Sequence, residues 1–313
     1  MGKNILVTGG AGFVGGYLCR ALKKKGHMVV ALDNMSNGKM VNVPEGVPLI
    51  KVDLASRKLS QTLTGYKFDV VIHCAAQSSN AISFKFPHED LEANQLGTLN
   101  LLEYCVAAKI KRFIFTSSMS AYGQPKQLPT KESYNCQPDS FYAVHKLASE
   151  HYVRIFGQIH KLNYTIFRLY TTYGHGQNLS NMEQGLLSIY LGYILKKEKL
   201  IVKGSKDRTR DIIHVNDVVR AITASLFNSK SFGKVYNLGT GKRLKIGRII
   251  ELLTTGLGYK KGQYPVVYIE NTLGDPFDTL ANIQEAKKDL SWKPLISAEE
   301  GIRLTVGPYQ KKG

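Results

Sequence analysis

Acidic residues are scarce in this sequence: 24 aspartates and glutamates stand against 42 lysines and arginines, which gives a formal net charge of +18. The lysine pairs and triplets are spread along the chain, at 23–25, 196–197, 260–261, 287–288 and 311–312. This spread is typical of solvated helix ends and loops, although it also allows attraction to a polyanionic ligand. Because no recognised nucleic-acid-binding motif accompanies the charge, we expect no nucleic-acid partner.

Cysteine and metal-ligand patterns are also sparse. The four cysteines, Cys19, Cys74, Cys105 and Cys136, are isolated and form no C-x-x-C pair. The eight histidines show no spacing typical of metal ligands. We therefore expect no metal site and no disulfide, and we interpret the cysteines as small buried hydrophobic residues.

Long apolar runs are missing as well. No run approaches the roughly 20 residues of a membrane span, so we expect no stable membrane insertion. The sequence enters a strand at once and shows no signal-peptide pattern, which favours the cytoplasm. With 313 residues, 43% of them hydrophobic, the chain can bury the core of one large domain or two unequal ones.

What the sequence does contain is a glycine-rich turn. An apolar strand at residues 5–7 leads into Gly9, Gly12 and Gly15, and helical residues follow. Such glycines permit a tight turn, a close backbone approach to a pyrophosphate, and close packing of helix on strand. Further on, a second apolar run ends in Asp33, whose carboxylate suits an adenosine ribose and would repel a 2′-phosphate. The pattern predicts a dinucleotide site and favours NAD over NADP.

The first half of the chain alternates short apolar runs with amphipathic segments, which is typical of a parallel sheet with crossover helices. The predicted elements are strands at 5–7, 28–33, 47–52, 68–73, 113–116 and 164–169, helices at 88–108 and 140–156, and a loop at 174–181. We expect an α/β fold, a Rossmann-type doubly wound parallel sheet with a smaller mixed α/β C-terminal lobe. The sheet domain is assigned to residues 1–170 with about 210–240, and the lobe to about 171–209 and 241–313.

A tyrosine and a lysine form the candidate chemical pair. Tyr142 and Lys146 are four residues apart on a predicted helix, so their side chains share a face. A neighbouring cation favours phenolate and lowers the pKa of a tyrosine. The pair follows a serine-rich strand end at 117–120, downstream of the glycine turn, and this order favours catalysis over a chance surface pair.

Taken together, these segments resemble the extended short-chain dehydrogenase/reductase family, especially its UDP-glucose 4-epimerase-like nucleotide-sugar epimerases and dehydratases. The matching segments are 8–15, 33–34, 53–54, 73–76, Asn94 with 97–98, 117–118, 122–123, Tyr142 with Lys146, 210–211 and 291–294. The resemblance covers nearly the whole chain. It implies an NAD-dependent nucleotide-sugar 4-epimerase that supplies polysaccharide biosynthesis.

The resemblance also implies roles for individual residues. Tyr142 would be the base that takes a sugar hydroxyl proton, Lys146 would bind the nicotinamide ribose, and Ser118 would hydrogen-bond the reacting oxygen. NAD would be bound by Gly9, Gly12, Phe13, Val14, Asp33, Asn34, Ser36, Asn37, Gly38, Asp53, Leu54, Cys74, Ala75, Ala76, Gln77, Asn94, Tyr142, Lys146 and Tyr170. The nucleotide-diphosphate sugar would be contacted by Ser78, Ser118, Thr171, Arg210 and Thr279. Arg210 would bind the diphosphate, which suits a forked cation.

The reaction type is narrowed by an absent acid. The related dehydratases carry a carboxylate in the loop where this chain has Met119 and Ser120, so dehydration is not expected. Two alternatives use the same Ser118, Tyr142 and Lys146 and stay open: a nucleotide-sugar 4-dehydrogenase and a 4-keto-sugar reductase. A non-catalytic dinucleotide-binding protein is a third, disfavoured by the intact Tyr/Lys pair.

Three threonines affect which nucleotide sugar is expected as the substrate. Thr171 and Thr272 stand where the family carries an asparagine and an arginine near the substrate diphosphate. GDP-, CDP- and dTDP-sugars therefore stay open beside UDP-sugars. Thr279 falls near the position that gates the hexose pocket in related epimerases, and a small residue there would admit an N-acetylated sugar.

The helices at 88–108 and 140–156 resemble those that form a four-helix homodimer contact in this family. Phe141, Val144 and Tyr152 are expected to be exposed apolar residues on the second of these helices. We therefore expect a homodimer.

Overall fold

The structure is a computed structural model of the chain and describes residues 2–271 and 274–310. Its strands, in chain order, are β1 (Asn4–Thr8), β2 (Met28–Asp33), β3 (Leu49–Lys51), β4 (Val70–His73), β5 (Arg112–Ser118), β6 (Asn163–Leu169), β7 (Thr171–Tyr173), β8 (Leu200–Lys203), β9 (Thr209–Arg210), β10 (Ile212–His214), β11 (Lys234–Leu238), β12 (Leu244–Lys245) and β13 (Val266–Ile269).

Helices connect most of these strands. They are α1 (Phe13–Lys24), α2 (Leu59–Thr62), α3 (Asn80–Lys85), α4 (Pro87–Leu91), α5 (Gly97–Ala107), α6 (Phe141–His160), α7 (Leu186–Leu195), α8 (Val215–Ser225), α9 (Ile246–Gly256), α10 (Gln284–Leu290) and α11 (Ala298–Val306). A π-helical turn, Glu92–Leu96, joins α4 to α5, so the predicted helix at 88–108 is one helical run with a widened turn inside it. Short 3₁₀ turns lie at Met40–Asn42, Met119–Tyr122, Ser229–Ser231 and Gly307–Tyr309.

The central sheet is parallel and, within the described residues, has seven strands in the order β11-β6-β5-β4-β1-β2-β3. The predicted α/β doubly wound sheet is thereby confirmed. Its strand order changes direction at β1, and in such sheets ligands bind beyond the carboxyl ends of the strands at this point. Some details differ from the sequence prediction: the strands expected at 47–52 and 68–73 are shorter, at Leu49–Lys51 and Val70–His73, and β11 was not predicted as a strand.

Both faces of the sheet are covered by apolar side chains. One cluster packs α1, α8 and α10 against the sheet, and the other packs α5 and α6 on its opposite face. Strands such as β4 are buried along their whole length, as expected for a parallel sheet between two helical layers. The carboxyl edge that carries the candidate site is therefore the end of a sheet with a packed core on both faces.

The second lobe has its own apolar cluster, built mainly from α7, α9, α11 and β8. It contains the small strand pairs β8–β13 and β9–β12. Residues 281–292, which the sequence assigned to this lobe, pack instead with α8 and β11 in the cluster of the sheet domain. The two lobes meet at the carboxyl edge of the sheet.

Candidate active site

The glycine turn lies at the carboxyl end of β1. Gly9 has φ +67°, and a Cβ there would lie 2.7 Å from the Ala75 backbone nitrogen, so both conformation and space require glycine. Gly12 precedes α1 and is not capped by a side chain within the described residues. The first N–H groups of α1 are therefore available to a phosphate, as in other helix N-terminal anion sites.

Asp33 closes the same edge of the sheet at the end of β2. Its Oδ2 accepts a hydrogen bond from the Ala11 backbone N–H (3.0 Å), and its Oδ1 accepts one from Met35 (2.8 Å). Beside it, Asn34 Nδ2 donates to Asp53 Oδ2 at 2.7 Å. These contacts hold the loops that follow β2 and β3 around one opening.

A cavity of about 990 Å³ runs from the glycine turn along the carboxyl edge of the sheet to the second lobe. The predicted residues that border it are Gly9, Gly12, Phe13, Val14, Asp33, Asn34, Ser36, Asn37, Gly38, Asp53, Leu54, Cys74, Ala75, Ala76, Gln77, Ser78, Ser118, Tyr142, Lys146, Tyr170, Thr171 and Arg210. The chain thus brings the candidate cofactor residues and the candidate catalytic residues to one space.

Two predicted site residues do not border this cavity. Asn94 is 1% exposed, and its Nδ2 donates to the Gln77 carbonyl (2.9 Å) and to Asp90 Oδ1 (3.0 Å). Thr279 is also 1% exposed, and its Oγ1 accepts a hydrogen bond from the Asp211 backbone N–H (3.1 Å). Asn94 therefore supports the cavity wall from behind, and the predicted gating by Thr279 finds no geometric basis.

Thr272, which was used to predict the range of substrates, lies outside the described residues.

Two of the four cysteines, Cys19 and Cys105, are buried as expected. Cys74 and Cys136 are only half-buried.

The three candidate catalytic side chains come from two elements. Ser118 ends β5, and its Oγ accepts a hydrogen bond from the Ser120 backbone N–H at 3.1 Å. Tyr142 and Lys146 lie in the first turns of α6, which Ser140 caps. Both side chains are nearly buried, at 7% and 2% exposure, and the Lys146 ammonium lies 4.3 Å from the centroid of the Phe115 ring.

Burial dominates the electrostatics of this pair. It raises the pKa of the Tyr142 phenol to about 12, with the Ser118 side chain acting in the opposite direction. It also lowers the pKa of the Lys146 ammonium to about 8, against the favourable influence of Cys74, Glu150 and Asp90. The sequence predicted that a neighbouring cation lowers the pKa of Tyr142, but within the described residues burial is the largest influence and raises that pKa.

A buried acid and a histidine support the start of α6. Asp90 is fully buried, and its Oδ2 lies 2.6 Å from His145 Nδ1. The other oxygen, Oδ1, accepts a hydrogen bond from Gln77 Nε2 at 2.5 Å. Because His145 lies between Tyr142 and Lys146 in the chain, this contact ties the catalytic helix to the segment that follows β4. The contact between Asp90 and His145 was not expected from the sequence.

A buried ion pair supports the next turns of α6. Glu150 accepts two hydrogen bonds from the Arg168 guanidinium, at 2.9 and 2.7 Å, and one from Ser117 Oγ at 2.6 Å. Ser117 directly precedes Ser118, so this pair fixes the carboxyl end of β5 relative to the helix that carries Tyr142.

Side chains from the loop at 174–181 and from the segment after it form hydrogen bonds with loops on the cofactor side of the cavity. Asn37 Nδ2 donates to Gln184 Oε1 (2.6 Å), Asn178 Nδ2 donates to Asn37 Oδ1 (2.9 Å), and Gln184 Nε2 donates to Ser78 Oγ. We call these four residues the amide clasp. All four border the cavity, so the clasp joins the cofactor side of the opening to the segment before α7.

Two arginines line the far end of the cavity. Arg210 Nη2 donates to Asp275 Oδ1 at 2.6 Å, and Arg208 Nη1 donates to Asp275 Oδ2 at 2.5 Å. Only Arg210 was expected in the site from the sequence. Their spacing of two residues in an extended segment, which places both side chains on one face, was the signal that could have revealed Arg208.

Within residues 2–271 and 274–310, no helix has the length and apolar character needed to cross a membrane. The same part of the chain holds no group of three His, Cys, Asp or Glu side chains arranged for a metal ion.

Comparison with known proteins identifies a family. The sequence model of the NAD dependent epimerase/dehydratase family matches residues 5–239. The chain is 32% identical over 303 residues to a putative UDP-glucose 4-epimerase of Methanocaldococcus jannaschii, and the match covers 96% of this chain and 97% of the relative.

Solved structures are similar over the same extent. A crystal structure of the UDP-glucose 4-epimerase of Thermotoga maritima with UDP-glucose has a TM-score of 0.92 and 33% identity, and the match covers 98% of both chains. The UDP-glucose 4-epimerase of Thermus thermophilus in complex with NAD has a TM-score of 0.90 and 31% identity, covering 99% of this chain and 100% of that one.

Proposed function

The chain belongs to the NAD-dependent epimerase/dehydratase family and is an NAD-dependent nucleotide-sugar 4-epimerase, and we propose that Tyr142 is its base and a UDP-sugar its substrate. The observation that carries this proposal is the convergence of Ser118, Tyr142 and Lys146 on the cavity that begins at the glycine turn. The relatives favour the epimerase over the dehydrogenase and reductase alternatives, because each named relative is a 4-epimerase.

The cavity suits NAD at its glycine-rich end. The uncapped start of α1 offers N–H groups to a diphosphate, and the small residue Gly12 leaves the backbone open to it. Asp33 already accepts one backbone hydrogen bond on each oxygen, and each oxygen can accept another from a ribose hydroxyl. When bound, NAD accepts a hydride from C4 of the sugar and can return it to either face.

Tyr142 moves the proton that accompanies this hydride. Its phenol oxygen takes the proton of the C4 hydroxyl as the carbonyl forms, and gives it back when the hydroxyl is restored. Since burial raises the pKa of Tyr142 to about 12, positive charge in the cavity has to lower it. Lys146 and the positively charged nicotinamide ring supply that charge, and Ser118 hydrogen-bonds the reacting oxygen.

The loop after β5 argues against dehydration. Met119 and Ser120 both border the cavity, and neither side chain is an acid. Ser120 is occupied in hydrogen bonds with Ser118 through its own N–H and hydroxyl. A proton on C5 of the sugar would therefore find no carboxylate on this loop, whereas C4 oxidation and reduction require none.

Substrate binding extends from the catalytic residues to Arg210. Ser78, Ser118 and Thr171 border the middle of the cavity, and Arg210 borders its far end in the second lobe. We propose that the sugar lies at the first three and the diphosphate at Arg210. UDP is the nucleotide named in the relatives, and it takes precedence over GDP, CDP and dTDP for this reason alone.

We further propose a homodimer built on α4, α5 and α6. Phe141 and Val144 are 46% and 44% exposed on α6, and Leu91 is 41% exposed on α4. Tyr152 was predicted to be exposed but is half-buried, and its hydroxyl accepts a hydrogen bond from Gln95 Nε2 at 2.5 Å.

We place the enzyme in the cytoplasm, where nucleotide sugars and NAD are available, with no nucleic-acid partner.

The test uses purified protein without added cofactor. Denaturation should release NAD detectable by mass spectrometry, and the native protein should equilibrate a C4-epimeric pair of UDP-sugars. Tyr142→Phe should retain bound NAD and lose this activity. Accumulation of NADH without formation of an epimer would instead assign a 4-dehydrogenase.

A further inference from the structure

Arg208 is a second buried cation at the wall of the substrate cavity. Arg208 is 2% exposed and Arg210 4% exposed, and both border the cavity. One carboxylate, Asp275, bridges them, with one oxygen toward each guanidinium at 2.5 and 2.6 Å. Two buried positive charges thus share one carboxylate. Burying a charge that is not neutralised lowers the stability of the fold, so a further anion would be favourable here.

The group formed by Arg208, Arg210 and Asp275 carries more positive than negative charge. Burial lowers the pKa of Arg210, the charge of Arg208 lowers it further, and Asp275 raises it. Two guanidiniums and one carboxylate leave one net positive charge, and Lys203 borders the same cavity with another. A diphosphate diester carries two negative charges, so its binding would neutralise this end of the cavity.

The Arg208 side chain is fixed in place before any ligand arrives. Its Nη1 also donates to Asn271 Oδ1 at 2.7 Å, and its Nη2 donates to the Lys203 carbonyl. Gly204 leaves space for it, because a Cβ there would lie 2.6 Å from Arg208 Nε. A guanidinium held in this way loses little conformational freedom on binding an anion.

A purely structural role leaves part of this arrangement unexplained. Arg208 ties the segment at 203–204 to the segment at 271–275, and Arg210 adds a contact to the Phe277 carbonyl at 3.0 Å. These ties account for the positions of the two side chains, but they leave two buried cations against one carboxylate. The excess positive charge has a use when it faces an anionic ligand, and the cavity provides that access.

We propose that Arg208 is a substrate-binding residue, whose guanidinium shares the diphosphate of the sugar nucleotide with Arg210 while Asp275 holds the two cations together. This inference rests on the proposed function, since it needs a nucleotide-diphosphate substrate. It makes the pair Arg208/Arg210, rather than Arg210 alone, the determinant that selects diphosphates.

The experiment compares Arg208→Gln with the wild-type, NAD-loaded protein by calorimetric titration with UDP, UMP and uridine. Removing one charge-assisted contact should weaken UDP binding about 10- to 100-fold, and uridine binding should stay within about twofold. The KM for the UDP-sugar should rise in parallel with little change in kcat. Arg248→Gln, at an exposed arginine that pairs with Glu251, is the matched control and should leave all three affinities unchanged.

Equal weakening of UDP and uridine binding would assign Arg208 a structural role, and unchanged UDP binding would also overturn the proposal. If Arg208→Gln fails to fold, Arg208→Lys serves instead, because it retains the charge and loses the fork; it should weaken UDP binding more than uridine binding. Wild-type protein that binds UDP in this phosphate-dependent way but epimerises no UDP-sugar would overturn the proposed function and leave the role of Arg208 standing.

Discussion

Single residues at this site are tuned mainly by burial. Tyr142 and Lys146 have pKa values shifted in opposite directions, to about 12 and about 8, and desolvation is the first cause of both shifts. Each shift disfavours the charged form that the proposed mechanism needs. At neutral pH only the Lys146 shift lowers the free energy of unfolding, because Lys146 is charged there while Tyr142 is neutral in both the folded and the unfolded chain.

Replacing Tyr142 should abolish proton transfer without disturbing the cofactor. Positioned acid–base groups contribute roughly 10²- to 10⁴-fold to rate, so Tyr142→Phe should lower kcat by a factor in this range. Steady-state kinetics with a UDP-sugar measures the loss, and the absorbance of released NAD serves as the control. A variant with nearly full kcat would rule out Tyr142 as the base.

Replacing Lys146 should stabilise the folded chain at neutral pH. Because the pKa of Lys146 falls from 10.5 to about 8 on folding, burying its charge costs up to roughly 3 kcal/mol below pH 8. As pH rises from 8 towards 10.5, the unfolded state also loses the proton and the cost disappears. Lys146→Met should therefore raise the free energy of unfolding at pH 7, and this gain should shrink towards pH 10.

Urea unfolding at several pH values, on samples with the same NAD content, measures this difference. A stabilisation that stayed constant from pH 7 to pH 10 would show that charge burial is not its source.

At the level of secondary structure, α6 carries the chemistry and two buried pairs hold it. The pair Asp90–His145 joins α4 to the first turns of α6, and Glu150–Arg168 joins the next turns to β6. On the opposite side of the cavity, the amide clasp links the loop after β2 to the segment before α7. The catalytic helix is thus fixed on one side, while a network of exposed amides closes the other.

Breaking the first pair should be costly. Asp90→Asn leaves one oxygen where His145 Nδ1 and the amides of Gln77 and Asn94 now contact two, and a buried polar group left without its partner typically costs about 1–3 kcal/mol. Urea denaturation should show a loss of this order. Glu103→Gln, on the exposed face of α5, is the control and should change stability by less than about 0.5 kcal/mol. A similar, small effect of both substitutions would mean that the pair is energetically neutral.

Opening the amide clasp should speed the loss of NAD. Gln184 hydrogen-bonds with Asn37, Asn181 and Ser78, and Gln184→Ala removes all three contacts. At about 0.5–1.5 kcal/mol for each hydrogen bond, the dissociation rate of NAD should rise roughly tenfold or more. Lys199→Ala, at an exposed position just after α7 and outside the clasp, should leave the rate close to wild type. Equal rates for the two variants would show that the clasp does not retain the cofactor.

At the scale of the whole molecule, the two lobes, the cavity and the proposed dimer form one arrangement. The sheet domain positions the glycine turn and α6, the second lobe brings Arg208 and Arg210, and the cavity lies between them. The proposed dimer uses α6 on its other, exposed side. One helix would then serve both the chemistry and the assembly.

The dimer prediction can be tested at exposed apolar residues of α6. Phe141→Lys and Val144→Asp place charges on the exposed apolar face of α6, so the mass in solution should halve while NAD content is retained. Val267→Asp, at an exposed position of β13, is the control and should leave the mass unchanged. Wild-type protein that is monomeric at micromolar concentration would contradict the prediction.

Much of this architecture could be predicted from local patterns. The apolar runs and the glycine turn predicted the parallel sheet, because each strand and turn depends on a few neighbouring residues. The spacing of Tyr142 and Lys146 predicted a shared helix face for the same reason. What sequence reasoning missed depends on residues far apart in the chain. The contact of Asp275 with Arg208 and the burial of Thr279 against Asp211 are both of this kind.

The pKa of Tyr142 could not be predicted for a related reason. The sequence shows the neighbouring cation, but the depth of burial that outweighs it is decided by the packing of α6 on the sheet. The same holds for the amide clasp, whose members come from three separate loops.

The proposed reaction moves a hydride from C4 and back to the same carbon through NAD that stays bound. It is tested best by proton NMR of a UDP-sugar incubated in D₂O with the purified protein and no added cofactor. The C4 epimer should appear with its hydrogen at C4 retained and no deuterium at C4 or C5. Deuterium at either carbon, or NADH accumulating without any epimer, would show that this mechanism is wrong.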